Sequence, residues 1–341
     1  MQYRTLGRSG LKVSTICLGT MLFGGDTSEE DALTIFNCAL DAGINFIDTA
    51  NVYTKGASET IVGKALRASG KRDDLILATK VTNATGPGVN DKGYSRWHVI
   101  RECERSLKRL QVDHVDIYYL HRMDLDTEID EPLRALDDLV RQGKIRYPAC
   151  SKFPPSLMTE SLMRCERNGW AKFVCDQSPY NIADRSLENE QLWACRRWGV
   201  GVVPWAPVAQ GLFSGKYVAD APPPPNSRWK GDPKSMAAQR FTRESIAVAN
   251  KLKPLASEKG VTLAEFALAW VMNQPTVTSP ILGPRTLAQL ESGLKALDVT
   301  ISDEDRHRID AIVPPGRSVA NFYDMNFAKP LRKDLGLVEP G

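Results

Sequence analysis

Two short apolar runs, LILATKV at 75–81 and DIYYLHR at 116–122, enclose a helical window and carry the pattern that predicts the fold. In that window Val99, Cys103 and Leu107 recur at four-residue spacing, which is typical of one face of an amphipathic helix. The two runs are almost continuously apolar, as expected for parallel strands buried on both faces. The segment therefore predicts a strand, a helix and a second parallel strand.

The same unit recurs along the chain on both sides of this segment. Eight such units are present, and their predicted strands are STICLG (14–19), NFIDTA (45–50), LILATKV (75–81), DIYYLHR (116–122), IRYPACS (145–151), KFVCDQSPY (172–180), VGVVPWAPV (200–208) and SPILG (279–283). The seventh strand is followed, after an interruption, by one predicted helix at about 243–271. Eight consecutive units favour a closed (β/α)8 TIM barrel over an open doubly wound sheet. An open sheet that binds a dinucleotide would need G-x-G-x-x-G after its first strand, and GTMLFGGD at 19–26 lacks that spacing.

The segments that interrupt this rhythm are predicted to lie at the ends of the barrel. Residues 1–13 read as an N-terminal β-hairpin. Long loops follow the third strand (82–95) and the seventh strand (210–241), and a C-terminal tail covers 314–341. Both loops and the tail can reach the carboxyl ends of the strands, where α/β barrels hold their active sites. No linker separates these parts, so the whole chain, 1–341, is predicted to be a single barrel domain.

Composition narrows the classes of function. The chain has 44 basic and 41 acidic residues, a net charge of +3, and both signs are interspersed, which does not predict nucleic-acid binding. Seven scattered cysteines without C-x-x-C spacing predict buried free thiols and no metal site. The N-terminus has no apolar signal region, and no run of about 20 apolar residues occurs. We therefore expect a cytoplasmic protein without membrane, nucleic-acid or metal partners.

Four polar residues follow the predicted strands at corresponding points. Asp48, Lys80 and His121 end apolar strands, and Tyr53 follows Asp48 by five residues. Parallel strand ends converge on one rim of a barrel, and burying these groups there is costly without a function. A nearby ammonium is expected to lower the pKa of a phenol, which is about 10 when free. The set predicts proton transfer, with His121 donating to a substrate carbonyl oxygen.

Motifs along nearly the whole chain resemble those of the aldo-keto reductases, in particular the bacterial NADPH-dependent branch and reductases similar to potassium-channel β-subunits. In chain order they are GINFIDTANVYTKGASETIVGKAL (43–66), ILATK (76–80), DIYYLHRMD (116–124), GKIRY (143–147), QSPYN (177–181), PWAPVAQGLFSGKY (204–217) and SPILGPRTLAQLE (279–291). The resemblance implies a barrel that binds NADPH (NADP+) and reduces an aldehyde or ketone by hydride transfer from C4 of the nicotinamide. Tyr53 is the implied general acid, Lys80 and Asp48 tune it, and His121 orients the carbonyl.

The resemblance also implies a cofactor site along the rim. Trp205 is implied to stack on the nicotinamide, and Ser151 and Gln177 to hold its carboxamide. The full set of implied cofactor-binding residues is Gly19, Thr20, Asp48, Ser151, Gln177, Trp205, Ala206, Pro207, Gly211, Leu212, Ser214, Lys216, Gly283, Arg285 and Gln289.

Part of this site also follows from the residues themselves. Arg285 comes after the eighth strand at a predicted helix start, where Thr286 and Gln289 have the spacing of a capping box. A helix N-terminus beside a guanidinium suits a phosphate, which favours NADPH over NADH because of the additional 2′-phosphate. A plain helix start with an exposed arginine is the alternative interpretation.

Three positions depart from the pattern of the family. Lys152 stands where the family usually has an asparagine that bonds the carboxamide, and a lysine cannot accept a hydrogen bond. Ser292 and Gly293 replace the acidic residue and the asparagine that normally face the adenine. We therefore expect weaker binding of the adenosine, so that the phosphate contact of Arg285 contributes a larger share of the cofactor affinity. The four catalytic positions match.

Two other functions remain open at this stage: an NADPH-binding regulatory or sensor subunit with little turnover, and a barrel lyase or isomerase that uses Lys80 as a Schiff base. For the reductase, the predicted substrate-binding residues are Met21, Phe23, Trp97 and Trp205, with Phe322 or Tyr323 from the tail. Their aromatic character favours a bulky or cyclic carbonyl compound, of which a xenobiotic or toxin ketone is one candidate.

Overall fold

The structure is a computed structural model that describes residues 1–225, 227, 239–320, 331–332 and 334–336. Part of the loop predicted at 210–241 and most of the tail, including Phe322 and Tyr323, lie outside the described residues.

Eight parallel strands form one sheet in the order β10-β3-β4-β5-β6-β7-β8-β9. Backbone hydrogen bonds also join the first and last strands of this order. The N–H groups of Thr278 and Ile281 donate to the carbonyls of Val202 and Pro204, each at 2.8 Å. The sheet therefore curls into the predicted (β/α)8 barrel. Its strands are β3 (Cys17–Gly19), β4 (Phe46–Asp48), β5 (Ile76–Val81), β6 (Val115–Leu120), β7 (Ile145–Ser151), β8 (Cys175–Gln177), β9 (Gly201–Val202) and β10 (Ile281–Leu282).

The predicted N-terminal hairpin is present and covers one end of the barrel. Strands β1 (Tyr3–Thr5) and β2 (Lys12–Ser14) pair antiparallel. Gly7 in the turn has a φ of 56°, and an added Cβ would lie 2.5 Å from the carbonyl oxygen of Gly199. Only glycine fits this close approach. Since Gly199 lies two residues before the seventh barrel strand, which begins at Gly201, the hairpin lies at the amino ends of the strands and leaves the carboxyl ends for a site.

The core has two layers, which follow from the alternation of side chains along each strand. In β6, Ile117 and Tyr119 belong to the layer inside the barrel, together with Leu6 and Val13 from the hairpin region. Tyr118 belongs to the layer between strands and helices. All seven cysteines are free, and six of them are buried.

The helices surround the sheet, and their bounds correct one prediction. The single helix predicted at about 243–271 is two helices, separated at Gly260, which has a φ of 69°. Thr262 then caps the second helix through a capping box with Glu265. The helices are α1 (Glu29–Asp41), α2 (Ala57–Ser69), α3 (Arg96–Leu110), α4 (Asp130–Arg141), α5 (Pro155–Asn168), α6 (Gln191–Trp198), α7 (Arg243–Glu258), α8 (Leu263–Met272), α9 (Leu287–Lys295) and α10 (Asp303–Ile312).

Candidate active site

The period of two along each strand places the candidate residues inside the barrel at its carboxyl end. Except for Tyr53, each catalytic candidate lies two positions beyond a residue of the inner core layer, on the same face of its strand. The residue of that layer nearest the carboxyl end of each strand unit is, in chain order, Cys17, Phe46, Ala78, Tyr119, Ala149, Cys175, Val203 and Ile281. Two positions further along the chain are Gly19, Asp48, Lys80, His121, Ser151, Gln177, Trp205 and Gly283, one from each strand unit. The predicted convergence on one rim follows from this register.

Lys80 is the centre of the cluster. Its ammonium donates to Asp48 Oδ1 at 2.5 Å, to the Thr49 carbonyl at 2.8 Å and to the Tyr53 hydroxyl at 3.1 Å. An ammonium has three protons, so these three acceptors satisfy it completely. The Lys80 side chain is fully buried, and the Asp48 side chain is 3% exposed. A buried ion pair of this kind is stable only with such complete bonding.

A second bond holds the Asp48 carboxylate. Gln177 Nε2 donates to Asp48 Oδ2 at 2.8 Å, and the Ser151 hydroxyl donates to the Gln177 backbone carbonyl at 2.7 Å. The sequence predicts Ser151 and Gln177 at the cofactor carboxamide, and their link to the carboxylate is not part of that prediction. The residue types gave no signal for it, because the bond depends on the meeting of two strands 129 positions apart.

Tyr53 reaches Lys80 from a tight turn after β4. The turn Tyr53–Gly56 contains Thr54 and Lys55 at φ values of 46° and 55°, in the left-handed region. Two successive residues other than glycine rarely adopt this conformation, and it costs free energy that the surrounding contacts must offset. One such contact is the bond from the Thr54 hydroxyl to the Phe23 carbonyl at 2.8 Å. The turn leaves part of the Tyr53 side chain exposed.

His121 completes the cluster opposite Tyr53. The two ring centroids are 5.7 Å apart and the planes meet at 81°, an edge-to-face arrangement. The His121 backbone N–H donates to the Val81 carbonyl at 2.8 Å, which ties β6 to the end of β5. The four residues predicted to meet at the rim do so.

Electrostatics correct the predicted direction for Tyr53. Burial raises the pKa of the Tyr53 phenol above its ordinary value, and the opposing effect of the Lys80 ammonium is smaller. Burial likewise raises the pKa of Asp48. For Lys80, burial lowers the pKa, but the carboxylate of Asp48 reverses this and leaves it above its usual value. At neutral pH the phenol is protonated and the lysine is an ammonium.

Burial and three nearby cations set the protonation state of His121. Burial, followed by the charges of Lys80, Lys152 and Arg122, lowers the pKa of His121 well below its usual value. The imidazole is therefore neutral at physiological pH and has one N–H group.

Lys152 lies close to Trp205, the residue predicted to stack on a nicotinamide. Its φ of 57° is unusual for lysine, and its Nζ lies 5.3 Å from the centroid of the Trp205 ring. Burial and the neighbouring charges of Arg122, Lys80 and Arg240 lower the pKa of Lys152 to about 8. The family's asparagine is thus replaced by a cation that stays at the rim beside Trp205.

Two cations from different loops approach each other farther along the rim. Lys216 follows β9 and Arg285 follows β10, and after burial the charge of Arg285 is the cause that lowers the pKa of Lys216. Positive charge concentrated at one point of the rim attracts anions. The donors fit a phosphate group.

The predicted helix start after Arg285 is present in a modified form. Thr286 caps α9 by accepting a bond from the Gln289 N–H. Gln289 Oε1 accepts a bond from the Arg285 N–H at 2.8 Å, one residue earlier than a capping box requires. The Thr27 hydroxyl donates to the Arg285 carbonyl at 3.0 Å, which fixes this loop against the first unit.

The segment after β9 has an irregular backbone. Ala206 and Gln210 have positive φ values of 56° and 53°, and Gly211 has a φ of 102°. The Leu212 side chain is buried, so only its backbone can face a ligand. The remaining predicted contacts in this segment are Pro207, which is buried, and Ser214, which is exposed and donates to the Gly211 carbonyl at 2.6 Å.

Near the first strand, one predicted substrate-binding residue needs correction and one predicted cofactor-binding residue has a buried side chain. Phe23 is fully buried in the outer core layer, so its side chain does not line a substrate pocket. The Thr20 side chain is also fully buried, and its hydroxyl bonds the Asp48 carbonyl at 3.0 Å, so it supports the catalytic loop from beneath. Met21 is exposed at the rim. Trp97 is exposed at the start of α3, with its ring 3.7 Å from the Arg101 guanidinium.

The other two departures from the family pattern have structural partners. The Ser292 hydroxyl donates to Glu265 at 2.7 Å and joins α9 to α8. A Cβ at Gly293 would lie 2.4 Å from the end of the Leu282 side chain, so a larger residue there would require that side chain to move. Both residues stabilise the packing of the last unit.

Within the described residues, no group of three or more His, Cys, Asp or Glu side chains could hold a metal ion. In the same part of the chain, no helix combines the length and apolarity needed to cross a membrane.

Comparison with known proteins agrees with this geometry. The model of the aldo/keto reductase family matches residues 15–314. A probable voltage-gated potassium channel subunit beta of Arabidopsis thaliana is 37% identical over 302 residues, 88% of this chain and 92% of the relative. The uncharacterized oxidoreductase YrpG of Bacillus subtilis is 37% identical over 339 residues (95% and 99%), and the aldo-keto reductase AMT2 of Alternaria alternata is 32% identical over 338 residues (90% and 90%). The chain belongs to the aldo/keto reductase family of oxidoreductases, which act on small carbonyl compounds and generally use NAD(P)H.

Proposed function

We propose that this protein reduces an aldehyde or ketone to the alcohol with NADPH and that Tyr53 is the general acid. The observation that most directly supports this proposal is the hydrogen bond from the Lys80 ammonium to the Tyr53 hydroxyl oxygen at 3.1 Å. Because the phenol oxygen accepts this bond, its own proton is available to a substrate oxygen. The ammonium also stabilises the phenolate that forms when the proton leaves.

The other members of the cluster have distinct parts in this proposal. Asp48 holds the ammonium in position and keeps Lys80 protonated. His121 is neutral and donates its single N–H to the carbonyl oxygen, so the substrate is oriented by two donors. NADPH, when bound, supplies the hydride that reaches the carbonyl carbon.

The cofactor would be held along the rim. Lys216 and Arg285 would bind phosphate groups, and Trp205 would pack against the nicotinamide. Arg285→Ala is expected to weaken the binding of NADPH by about 1.5–3 kcal/mol, the range for hydrogen bonds to charged groups, and to change the binding of NADH little. Titration of both cofactors by fluorescence measures the difference. Equal losses for the two would remove the 2′-phosphate from the proposal.

A turnover assay tests the function itself. Protein, NADPH and an activated aldehyde such as a nitrobenzaldehyde are mixed, and the absorbance of the reduced nicotinamide is followed. We expect consumption of NADPH that depends on the aldehyde. A panel of bulky and cyclic ketones then defines the substrate class. NADPH binding without turnover on any carbonyl compound would contradict the proposal.

A second candidate is an NADPH-binding regulatory subunit, which the names of the plant relatives favour. It predicts cofactor binding with little turnover, so the same assay separates the two. A Schiff-base lyase is disfavoured, because that chemistry needs a neutral amine. Lys80 has a raised pKa and uses all three protons in hydrogen bonds.

A further inference from the structure

Asn83, a residue outside the predicted site, contacts the catalytic histidine. Its side-chain Nδ2 lies 3.0 Å from His121 Nδ1. An amide nitrogen can only donate a hydrogen bond, so Nδ1 of the imidazole must accept it and cannot carry a proton. A neutral imidazole has one N–H group, and the bond at one ring nitrogen decides which nitrogen has it. In this geometry the proton is on Nε2.

The backbone before Asn83 is built to hold this contact. Thr82 has a φ of 141°, a conformation rare for a β-branched residue. Its hydroxyl accepts a bond from the His121 N–H at 3.1 Å, and its carbonyl accepts one from the Gly93 N–H at 2.7 Å. The chain after β5 is therefore fixed to both His121 and the far end of its own loop. This turn directs the half-buried Asn83 side chain at the imidazole.

We propose that Asn83 is a positioning residue that holds His121 as the Nε2–H tautomer, so that the imidazole donates to the substrate oxygen. The inference rests on the proposed function, since it gives a reason why His121 is a donor and not an acceptor. With the opposite tautomer, Nε2 would present a lone pair to the carbonyl oxygen and repel it. The groups that face His121 are Tyr53, Lys80, Lys152 and Arg122. The three cations among these groups disfavour an imidazolium. Which of the two neutral tautomers forms therefore decides whether His121 donates or accepts a hydrogen bond at Nε2.

The tautomer can be read directly by NMR on the free protein, without substrate. The chain has four histidines, and long-range ¹H–¹⁵N spectra of protein labelled at histidine nitrogens separate a protonated from an unprotonated ring nitrogen. Loss of one signal set in His121→Gln identifies His121. We expect an unprotonated Nδ1 and a protonated Nε2 in the native protein.

Asn83→Asp tests the cause. A carboxylate can only accept, so it requires a proton on Nδ1 and should convert His121 to the Nδ1–H tautomer or to imidazolium. Asn90→Asp adds the same charge to an exposed position of the same loop and is the matched control. We expect the His121 nitrogens to change in Asn83→Asp alone and kcat/KM to fall about tenfold, as for the loss of one hydrogen bond to the carbonyl oxygen. NADPH affinity should stay unchanged.

Two results would overturn the inference: an Nδ1–H tautomer in the native protein, or His121 nitrogen shifts in Asn83→Asp equal to those in Asn90→Asp. Neither depends on catalysis. A protein with the expected tautomer but no turnover would contradict the proposed function alone, so the two failures can be distinguished.

Discussion

Among the described residues, two groups that each combine a tyrosine, a carboxylate and a cation differ in geometry, and one of them has the geometry of an active site. In the first, Tyr53 accepts a hydrogen bond from Lys80. In the second, Tyr180 donates its proton to Glu188 at 2.6 Å, and Arg185 binds the same carboxylate oxygen at 2.8 Å. The residue types are alike, but the direction of the bond to the phenol is reversed.

This reversal decides what each phenol can do. Tyr180 is fully buried, and its proton is committed to Glu188. Burial and the charge of that carboxylate raise the pKa of the phenol. Tyr53 is partly exposed and keeps its proton for another acceptor, beside an ammonium that stabilises its anion. Burial and ion pairing are therefore common to both tyrosines; the cationic donor at the phenol oxygen and the accessible proton are what distinguish the proposed acid, Tyr53, from Tyr180.

The largest expected effect is that of Tyr53→Phe. Removing the hydroxyl should lower carbonyl reduction by about 10³-fold, within the range of general acid catalysis, because no proton reaches the developing alkoxide. NADPH affinity and the thermal midpoint should change little. Steady-state kinetics and cofactor titration measure both. Near-native turnover in the variant would show that the phenol is not the acid.

The dependence of the rate on pH tests whether Tyr53 reacts in its protonated form. The proposed reaction needs protonated Tyr53, and the pKa of this phenol is raised above its ordinary value of about 10. The chemical step should therefore stay constant through neutral pH and fall about tenfold per pH unit only above that value. Single-turnover rates with saturating cofactor test this. A fall that begins near pH 7 would mean that the phenol ionises there and that the Lys80 ammonium outweighs burial.

Sequence patterns predicted the barrel and the meeting of Asp48, Tyr53, Lys80 and His121, because both depend on local order. The strand runs and their period of two fix which residues end each strand and which face they share. The split between α7 and α8 also has a local signal, Gly260 followed by Thr262 and Glu265. It was missed because apolar residues continue at helical spacing across the break.

Other features depend on packing that no local pattern contains. The direction of the Tyr53 pKa is set by burial, a property of the folded chain. Whether a loop aromatic such as Phe23 faces a ligand or the core depends on the elements packed above it. Asn83 lies in an aperiodic loop, and its contact with His121 requires two strand ends to meet.

Arg185→Met should affect stability and not chemistry. Arg185 binds Glu188, Asp310 and the Val313 carbonyl, so its loss removes the cation from both carboxylates and the donor from the carbonyl, while Tyr180 still donates to Glu188. Breaking a fully buried pair costs about 3–5 kcal/mol, and because the Asp310 side chain is 38% exposed we expect a smaller loss here, about 2–3 kcal/mol. Urea unfolding measures the loss, and kcat per folded molecule should remain native. A selective loss of kcat with unchanged stability would place this group in the catalytic machinery.

Tyr180→Phe is the counterpart of Tyr53→Phe and should have the smallest effect. The variant keeps the aromatic packing against Trp270, whose ring centroid is 5.3 Å away. It removes one hydrogen bond to a charged group, which costs about 2 kcal/mol, while Arg185 continues to pair with Glu188. Turnover should be native, since the Tyr180 hydroxyl donates its proton to Glu188 and is not available to a substrate. A loss of turnover comparable to that of Tyr53→Phe would mean that the direction of the bond to the phenol does not distinguish the two tyrosines.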